Sequence, residues 1–359
     1  MDQPGFFDLP DHLKRLSDAG DPLLELERII DFEAFRPVLE PTLNYSDGFR
    51  GGRPPYDPVT MFKVLILAAQ NNVSDERMEF LIRDRLSWLR FLGFALGKPT
   101  PDENTIRSFR ERLTNAGAFQ ALFDEFDRQL RSSGYLPMGG QIVDATLVSA
   151  PRQRNNDGEK QAIKQGKSAR DIWPSNPAKA AQKDVDARWT VKFTRAKTRE
   201  DGTKHATDIA IPTFGYKNHI AVDRRFGFVR SFAVTDAAKH DGKVLRRIVT
   251  TDNTASDVWA DTAYRSKANE AFLEKHGRTS RIHFKKPKGK QMPGHIARGN
   301  AAKSKTRARV EHVFGEQKSK MGLFIRTIGI KRAEAKVTLV NLAYNMKRLV
   351  FHERRLTMP

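Results

Sequence analysis

The hydrophobic period of this chain changes once, at Met138-Gly139-Gly140, and no single-layer fold accommodates both halves. Upstream, apolar residues recur at helical spacing; downstream, several segments alternate every second residue. The alternating runs are QIVDATLVS at 141–149, FGYKNHIAV at 214–222, FVRSFAV at 228–234 and DVWAD at 257–261. The second and third flank DRRFG and predict a hairpin. Helical segments at 243–249, 267–276 and 334–351, with a short strand at 281–285, interleave with them. The order predicts an α/β domain over residues 136–359 with a mixed sheet flanked by helices. An all-α domain over 1–135 precedes it.

In the helical half, VTMFKVLILAAQ at 59–70 is apolar nearly throughout and reads as a buried spine. A breaker-rich link at 49–58 leads into it. Ser74 caps the next helix, and Thr100-Pro101-Asp102-Glu103 reads as a capping box opening a helix through Leu113. Ile106, Phe109 and Leu113 then face inward, leaving Asn104, Arg107, Ser108 and Glu111 outward. Two readings stand side by side. One is a helix-turn-helix DNA reader with Arg107 and Arg110 as contact candidates; the other is a helical bundle with a basic rim. A polar, basic stretch at 151–208 reads as an insertion, partly irregular, with Trp173 and Trp189 as its apolar anchors.

Charge narrows the partner. The 359 residues carry 63 Lys+Arg against 43 Asp+Glu, a net charge of +20, which favours a polyanion, nucleic acid first. No apolar run approaches the roughly 20 residues of a membrane span. The acidic, Pro-interrupted N-terminus does not resemble a secretory leader. With no Cys, disulfides and Cys-ligated zinc are excluded. The expectation is a soluble, cytoplasmic protein that handles polyanions.

The segment KSKTRARVEHVFGEQKSKM at 303–321 holds no Pro and reads as one helix. At about 100° per residue, Arg307, Glu311 and Lys318 share one face beside Ser304. Val310, Phe314 and Met321 form the adjoining apolar stripe. A carboxylate bracketed by two cations suits an anion and a metal together; a surface salt-bridge ladder is the plainer alternative. Two further acids sit in costly places: Asp144 inside an apolar strand and Asp261 at a strand's end. If those strands are neighbours, both Asp side chains meet at one end of the sheet and the helix brings in Glu311. Three converging carboxylates need cations, and two Mg²⁺ ions would also perform in-line displacement at phosphorus. Arg307 and Lys318 would then contact phosphate.

The spacing Arg307-x₃-Glu311-x₆-Lys318 resembles the signature around the catalytic Glu of bacterial DDE transposases, with Ser304 where that pattern has Tyr. IVDATLV around Asp144, FGYKNHIAVD, FAVTDAAKHDGKVL, WADTAYRS around Asp261, RVEHVFGEQKSKMG and PDENTIRSFRERL all resemble the insertion-sequence-five group. The resemblance implies an RNase H-like catalytic domain and an N-terminal domain that recognises an element's inverted-repeat ends. It implies cleavage of those ends and their joining to target DNA, with two Mg²⁺ ions, or Mn²⁺ in their place, held by Asp144, Asp261 and Glu311. It further implies double-stranded DNA as partner, a homo-oligomer assembled on that DNA, and a nucleoid-associated location when bound. Lys217, within one of the resembling motifs, joins the phosphate-contact candidates. An RNase H-like nuclease that cuts without joining, or a silent transposase-derived DNA-binding protein, would carry the same motifs.

Overall fold

The computed structural model describes residues 8–45, 54–194 and 209–357. Parts of the breaker-rich link and of the basic stretch, residues 46–53 and 195–208, lie outside the described residues. The chain forms two compact units.

The helical unit takes in the chain up to Leu136, Ser319–Gly322 and the residues from Thr338 onward. Its N-terminal helices are α1 (Asp8–Asp18), α2 (Pro22–Ile29), α3 (Arg36–Leu43), α4 (Pro58–Asn71), α5 (Asp75–Asp84), α6 (Leu86–Leu92), α7 (Glu103–Ala116) and α8 (Phe119–Ser132). Helix α4 is the expected spine. Asp57 caps it by accepting from the Thr60 N–H at 2.9 Å, and its residues are buried on nearly every side. Asp21 and Ser17 on the first two helices accept from the Arg90 guanidinium of α6, at 2.6 and 2.8 Å. In α7 the inward trio Ile106, Phe109 and Leu113 is buried as expected. Its cap lies two residues later than the sequence suggested: Asp102 accepts from the Thr105 N–H at 2.7 Å. Asp102 is itself a preferred cap residue, and the Thr100 hydroxyl accepts instead from Arg83 Nε at 3.0 Å.

The α/β unit comprises Pro137–Lys318 and Leu323–Val337. Its strands are β1 (Gln141–Ser149), β2 (Arg188–Thr194), β3 (Ile209–Asp223), β4 (Val229–Asp236), β5 (Asp257–Trp259) and β6 (Thr279–Ser280). They form one mixed sheet in the order β2-β3-β1-β5-β6, with β4 also on β3. Along one edge, the first half of the long β3 pairs with β2 and its second half with β4. Along the other edge its second half pairs antiparallel with β1. Gly215 stands at the changeover, with φ 151° and its carbonyl accepting from the Ala237 N–H. A Cβ there would run into the Val148 carbonyl oxygen of β1, so only glycine fits.

The expected hairpin is β3–β4, and one buried carboxylate sets its turn. Asp223 accepts from the N–H groups of Phe226 and Phe228 at 2.7 and 3.1 Å and from Arg230 Nε at 3.1 Å. One face of the sheet closes a core of Val143, Ala221, Ala233, Val258 and Ala260. The helices α12 (Leu245–Ile248) and α13 (Lys267–Lys275) cover that core with Leu245, Ile248 and Leu273.

Where it is described, the stretch after β1 is partly irregular and carries α9 (Asp157–Lys164), α10 (Ala169–Ile172), α11 (Pro177–Gln182) and then β2. Capping boxes at Asn156/Glu159 and Ser168/Asp171 fix the first two. Trp173 is buried and donates its indole N–H to Glu159 at 2.8 Å, whereas Trp189 on β2 is 44% exposed and anchors little. Nor is the segment around Glu311 one helix. It is α14 (Gly294–Arg307), which buries no residue, then α15 (Arg309–Gly315), which buries Val310 and Val313. A wider π turn follows at Glu316–Lys320. The buried Gln317 side chain there accepts from Asn218 at 3.3 Å, and its carbonyl takes the Leu323 N–H. These tertiary demands re-aim a sequence whose local propensity is helical throughout. The last helix, α16 (Ile330–Thr357), begins in this unit, where Asp186 accepts from the Ile330 N–H at 2.9 Å.

Candidate active site

The strands β1 and β5 are parallel neighbours, with Ile142 opposite Trp259. Asp144 lies two residues further along β1 and Asp261 two residues beyond the end of β5, and the Asp261 charge acts on Asp144. The ladder ends at Trp259, so Asp261 leaves the sheet and caps the next turn, accepting from the Ala263 N–H at 2.8 Å. Asp144 stays within β1, its side chain 14% exposed.

Arg307, the last residue of α14, reaches this pair. Its Nη1 donates to Asp144 Oδ2 at 2.7 Å, and the other carboxylate oxygen takes the Ala145 N–H at 2.8 Å. Nη2 of the same guanidinium lies 3.9 Å from Glu311 Oε1, and the Glu311 side chain is 66% exposed. One cation therefore spans two of the three acids. Burial pushes the Asp144 carboxyl up to about 6; Arg307 works against that, and the Asp261 charge adds to it. Burial also drives the Tyr264 phenol well above its ordinary range, with the Asp144, Asp241 and Asp261 charges acting in the same direction. The Tyr264 hydroxyl is fully buried and has no hydrogen-bond partner. His283, held toward its neutral form by burial and then by the Arg307 and Lys303 charges, lies 3.4 Å from the Ser304 hydroxyl.

The donor set suits a hard divalent cation: two carboxylates whose charges act on each other and a third within one guanidinium's reach are all oxygen donors. Their mutual repulsion is what such an ion would relieve. Among the described residues no three acids or histidines close tightly enough to form a finished metal cage, because Glu311 points outward and Arg307 occupies Asp144.

The structure distributes the remaining sequence candidates widely. Lys318 falls in the π turn, beyond the break, with the Lys192 charge acting on it. It no longer continues a straight helical face from Arg307 and Glu311. Lys217 Nζ donates to Asp241 at 2.8 Å and to the Lys239 carbonyl at 2.6 Å. In the helical unit Arg107 is exposed and touches only Asn104, while Arg110 grips Asp75 through two bonds of 2.6 Å. Tyr264 and His283 were not singled out from sequence. Tyr264 stands within WADTAYRS, three residues after Asp261, which was the one local signal available.

Two family models match this chain. The Transposase domain (DUF772) matches residues 11–112, and the Transposase DDE domain matches residues 136–346. The second spans more than half of the sequence, and the chain belongs to the DDE transposase family. No solved structure matches it. The mixed sheet with its helical N-terminal region is consistent with an RNase H-like catalytic fold. As a DDE-type transposase it is a polynucleotidyl-transferase-type enzyme whose partner is DNA. Among the described residues no helix is long and apolar enough to cross a membrane.

Proposed function

We propose that this protein is the transposase of an insertion-sequence-five-type element, cutting the element's inverted-repeat ends and joining them to target DNA. The observation that supports the proposal is one guanidinium, Arg307, bonded to Asp144 and 3.9 Å from Glu311, with the Asp261 charge acting on the same Asp144. Asp144, Asp261 and Glu311 are the residues to hold Mg²⁺, with Mn²⁺ as substitute and two ions per site. Bound there, such ions supply Lewis acidity to the phosphoryl oxygens and an activated water or 3′-hydroxyl.

The chain's own side chains do the positioning. Asp261 Oδ1 takes a backbone N–H, and among the described residues no cation pairs with this carboxylate. Arg307 offers the planar fork that matches a phosphate bidentately, and a phosphate taking it would release Asp144. Lys318 and Lys217 extend the phosphate-contacting set. The helical unit recognises the element ends in a helix-turn-helix manner, with Arg107 exposed for DNA and Arg110 bracing α7 against Asp75. The working form is a homo-oligomer assembled on the DNA, in the cytoplasm at the nucleoid.

The test is Mg²⁺-dependent cutting and joining of a labelled duplex ending in the element's own inverted repeat. Native protein is run beside Glu311→Gln, which keeps the side chain's shape. Cutting and joining by the native protein alone, with both binding, supports the proposal. Cutting without joining gives the nuclease, and binding alone by both gives a silent DNA-binding protein. Equal cutting by both removes Glu311 from the set.

A further inference from the structure

At one end of the sheet, β2 and the first half of β3 run as a two-stranded ribbon. Their ladder pairs Arg188 with Gly215 and Thr194 with Ile209, while β1 and β4 join β3 only from Gly215 onward. Such a ribbon is marginal in water unless a further strand or a packed face supports it. This one is apolar on both faces. Trp189, Val191 and Phe193 stand on one and Ile209 and Ile211 on the other; all five are exposed, Phe193 at 67%. Exposed apolar residues scattered singly are ordinary, whereas a contiguous row marks an interaction surface.

The backbone distinguishes the two edges. Pro212, in the middle of the β3 side, has no N–H to offer a further strand. The sequence of β2, RWTVKFT, holds no Pro, and among the described residues β2 pairs with β3 alone. Its outer edge is therefore a template for one more strand.

Charge and register select that strand. Copies of a chain with net charge +20 approach best where cations are sparse. Between Trp189 and Phe193 the one charged residue is Lys192, and residues 209–215 carry none, which suits a second copy and not a polyanion. β2 is also complementary to itself. Paired antiparallel with its own copy about a two-fold axis at Val191, it sets Trp189 opposite Phe193 of the second copy. Val191 then faces Val191, and Lys192 faces Thr190. An axis at Lys192 would oppose the two ammoniums, and one at Thr190 would oppose Lys192 to Arg188. Of these three central registers, the one at Val191 alone gathers the apolar row of both copies on one face with no like charges across the seam.

We infer that two copies of this chain join edge to edge through β2, antiparallel about Val191, making a four-stranded sheet in the order β3-β2-β2-β3. The inference rests on the homo-oligomer part of the transposase reading and deepens it by naming the surface and its register. Since β2 has one outer edge, the association closes at two copies.

The test uses the full chain in EDTA without DNA, followed by sedimentation. Native protein should be a dimer at tens of micromolar. Val191→Lys puts two ammoniums on the axis and should raise the dimer dissociation constant at least about 10-fold. Ile211→Lys adds the same charge to the other face of the ribbon and should leave the dimer intact. The chain has no Cys, so introduced thiols report the register directly. Directly opposed residues of antiparallel strands lie within disulfide reach. Val191→Cys should therefore give a disulfide-linked dimer on mild oxidation. Phe193→Cys alone should not, but should link to Trp189→Cys when the two are mixed. A native protein that stays monomeric, a dimer indifferent to Val191→Lys, or self-linking of Phe193→Cys in place of Val191→Cys would overturn the inference. Loss of DNA affinity in Val191→Lys from a monomeric native protein would give the ribbon to DNA instead. A native dimer with the expected cross-links that neither cuts nor joins DNA would sink the transposase reading and leave the seam standing.

Discussion

Replacing Arg307 by Met keeps the aliphatic stem and removes the one cation bonded to Asp144. The carboxylate is left beside Asp261 with only the Ala145 N–H as donor. Removing one partner of a fully buried ion pair costs about 3–5 kcal/mol. Side-chain exposures of 24% for Arg307 and 14% for Asp144 return some of that to solvent. Roughly 2–4 kcal/mol remains. At about 2–4 °C per kcal/mol for a unit of this size, the midpoint of the α/β unit should fall by about 4–16 °C. The assay is thermal melting in EDTA of the native protein, Arg307→Met, Asp144→Asn and the double variant. Neutralising Asp144 removes the stranded charge, so the double variant should recover at least half of what Arg307→Met loses. If Arg307→Met melts with the native protein, or the double variant melts no higher than the single, the site is not held by this pair.

Other positions give separate tests. Gly215→Ala forces a Cβ against the β1 backbone and should cost at least about 3 kcal/mol. Gly277→Ala, with φ 63° and open space around it, should cost no more than about 1–2 kcal/mol. Urea midpoints of the two compared with native would separate packing from backbone strain. His219 is fully buried with Nε2 against Thr235 Oγ1 at 2.9 Å, and burial lowers it from 6.5 to about 4. Since the unfolded chain then binds the proton more readily, its contribution is lost as pH falls from about 6.5 to about 4. His219→Gln should flatten that part of a stability-versus-pH curve, and an unchanged slope would place the loss elsewhere.

The parts of the fold that could be read in advance were those where burial imposes a period. The alternation in 141–149 and 257–261 located β1 and β5, although β5 ends at Trp259, and the two strands pair in parallel. The β3–β4 hairpin and the α4 spine were legible for the same reason. What failed had long-range causes. Residues 303–321 are good helix formers on both sides of Ala308, and only the burial of Val310, Val313 and Gln317 breaks the rod. At α7 two cap residues, Thr100 and Asp102, compete within three positions, and the helix takes Asp102. The short helices after β1 did carry a local sign, since both capping boxes stand in the sequence; it was outweighed by the polar composition.

The joint at Ala308 has a consequence for how this chain tolerates change. Arg307 ends a helix that buries none of its residues, whereas Glu311 rides on a short segment seated by two valines. Acid and arginine therefore have separate mountings that share a hinge pin. A grafted α14 of different length or charge, ending in the same arginine, would leave the acid's seat undisturbed.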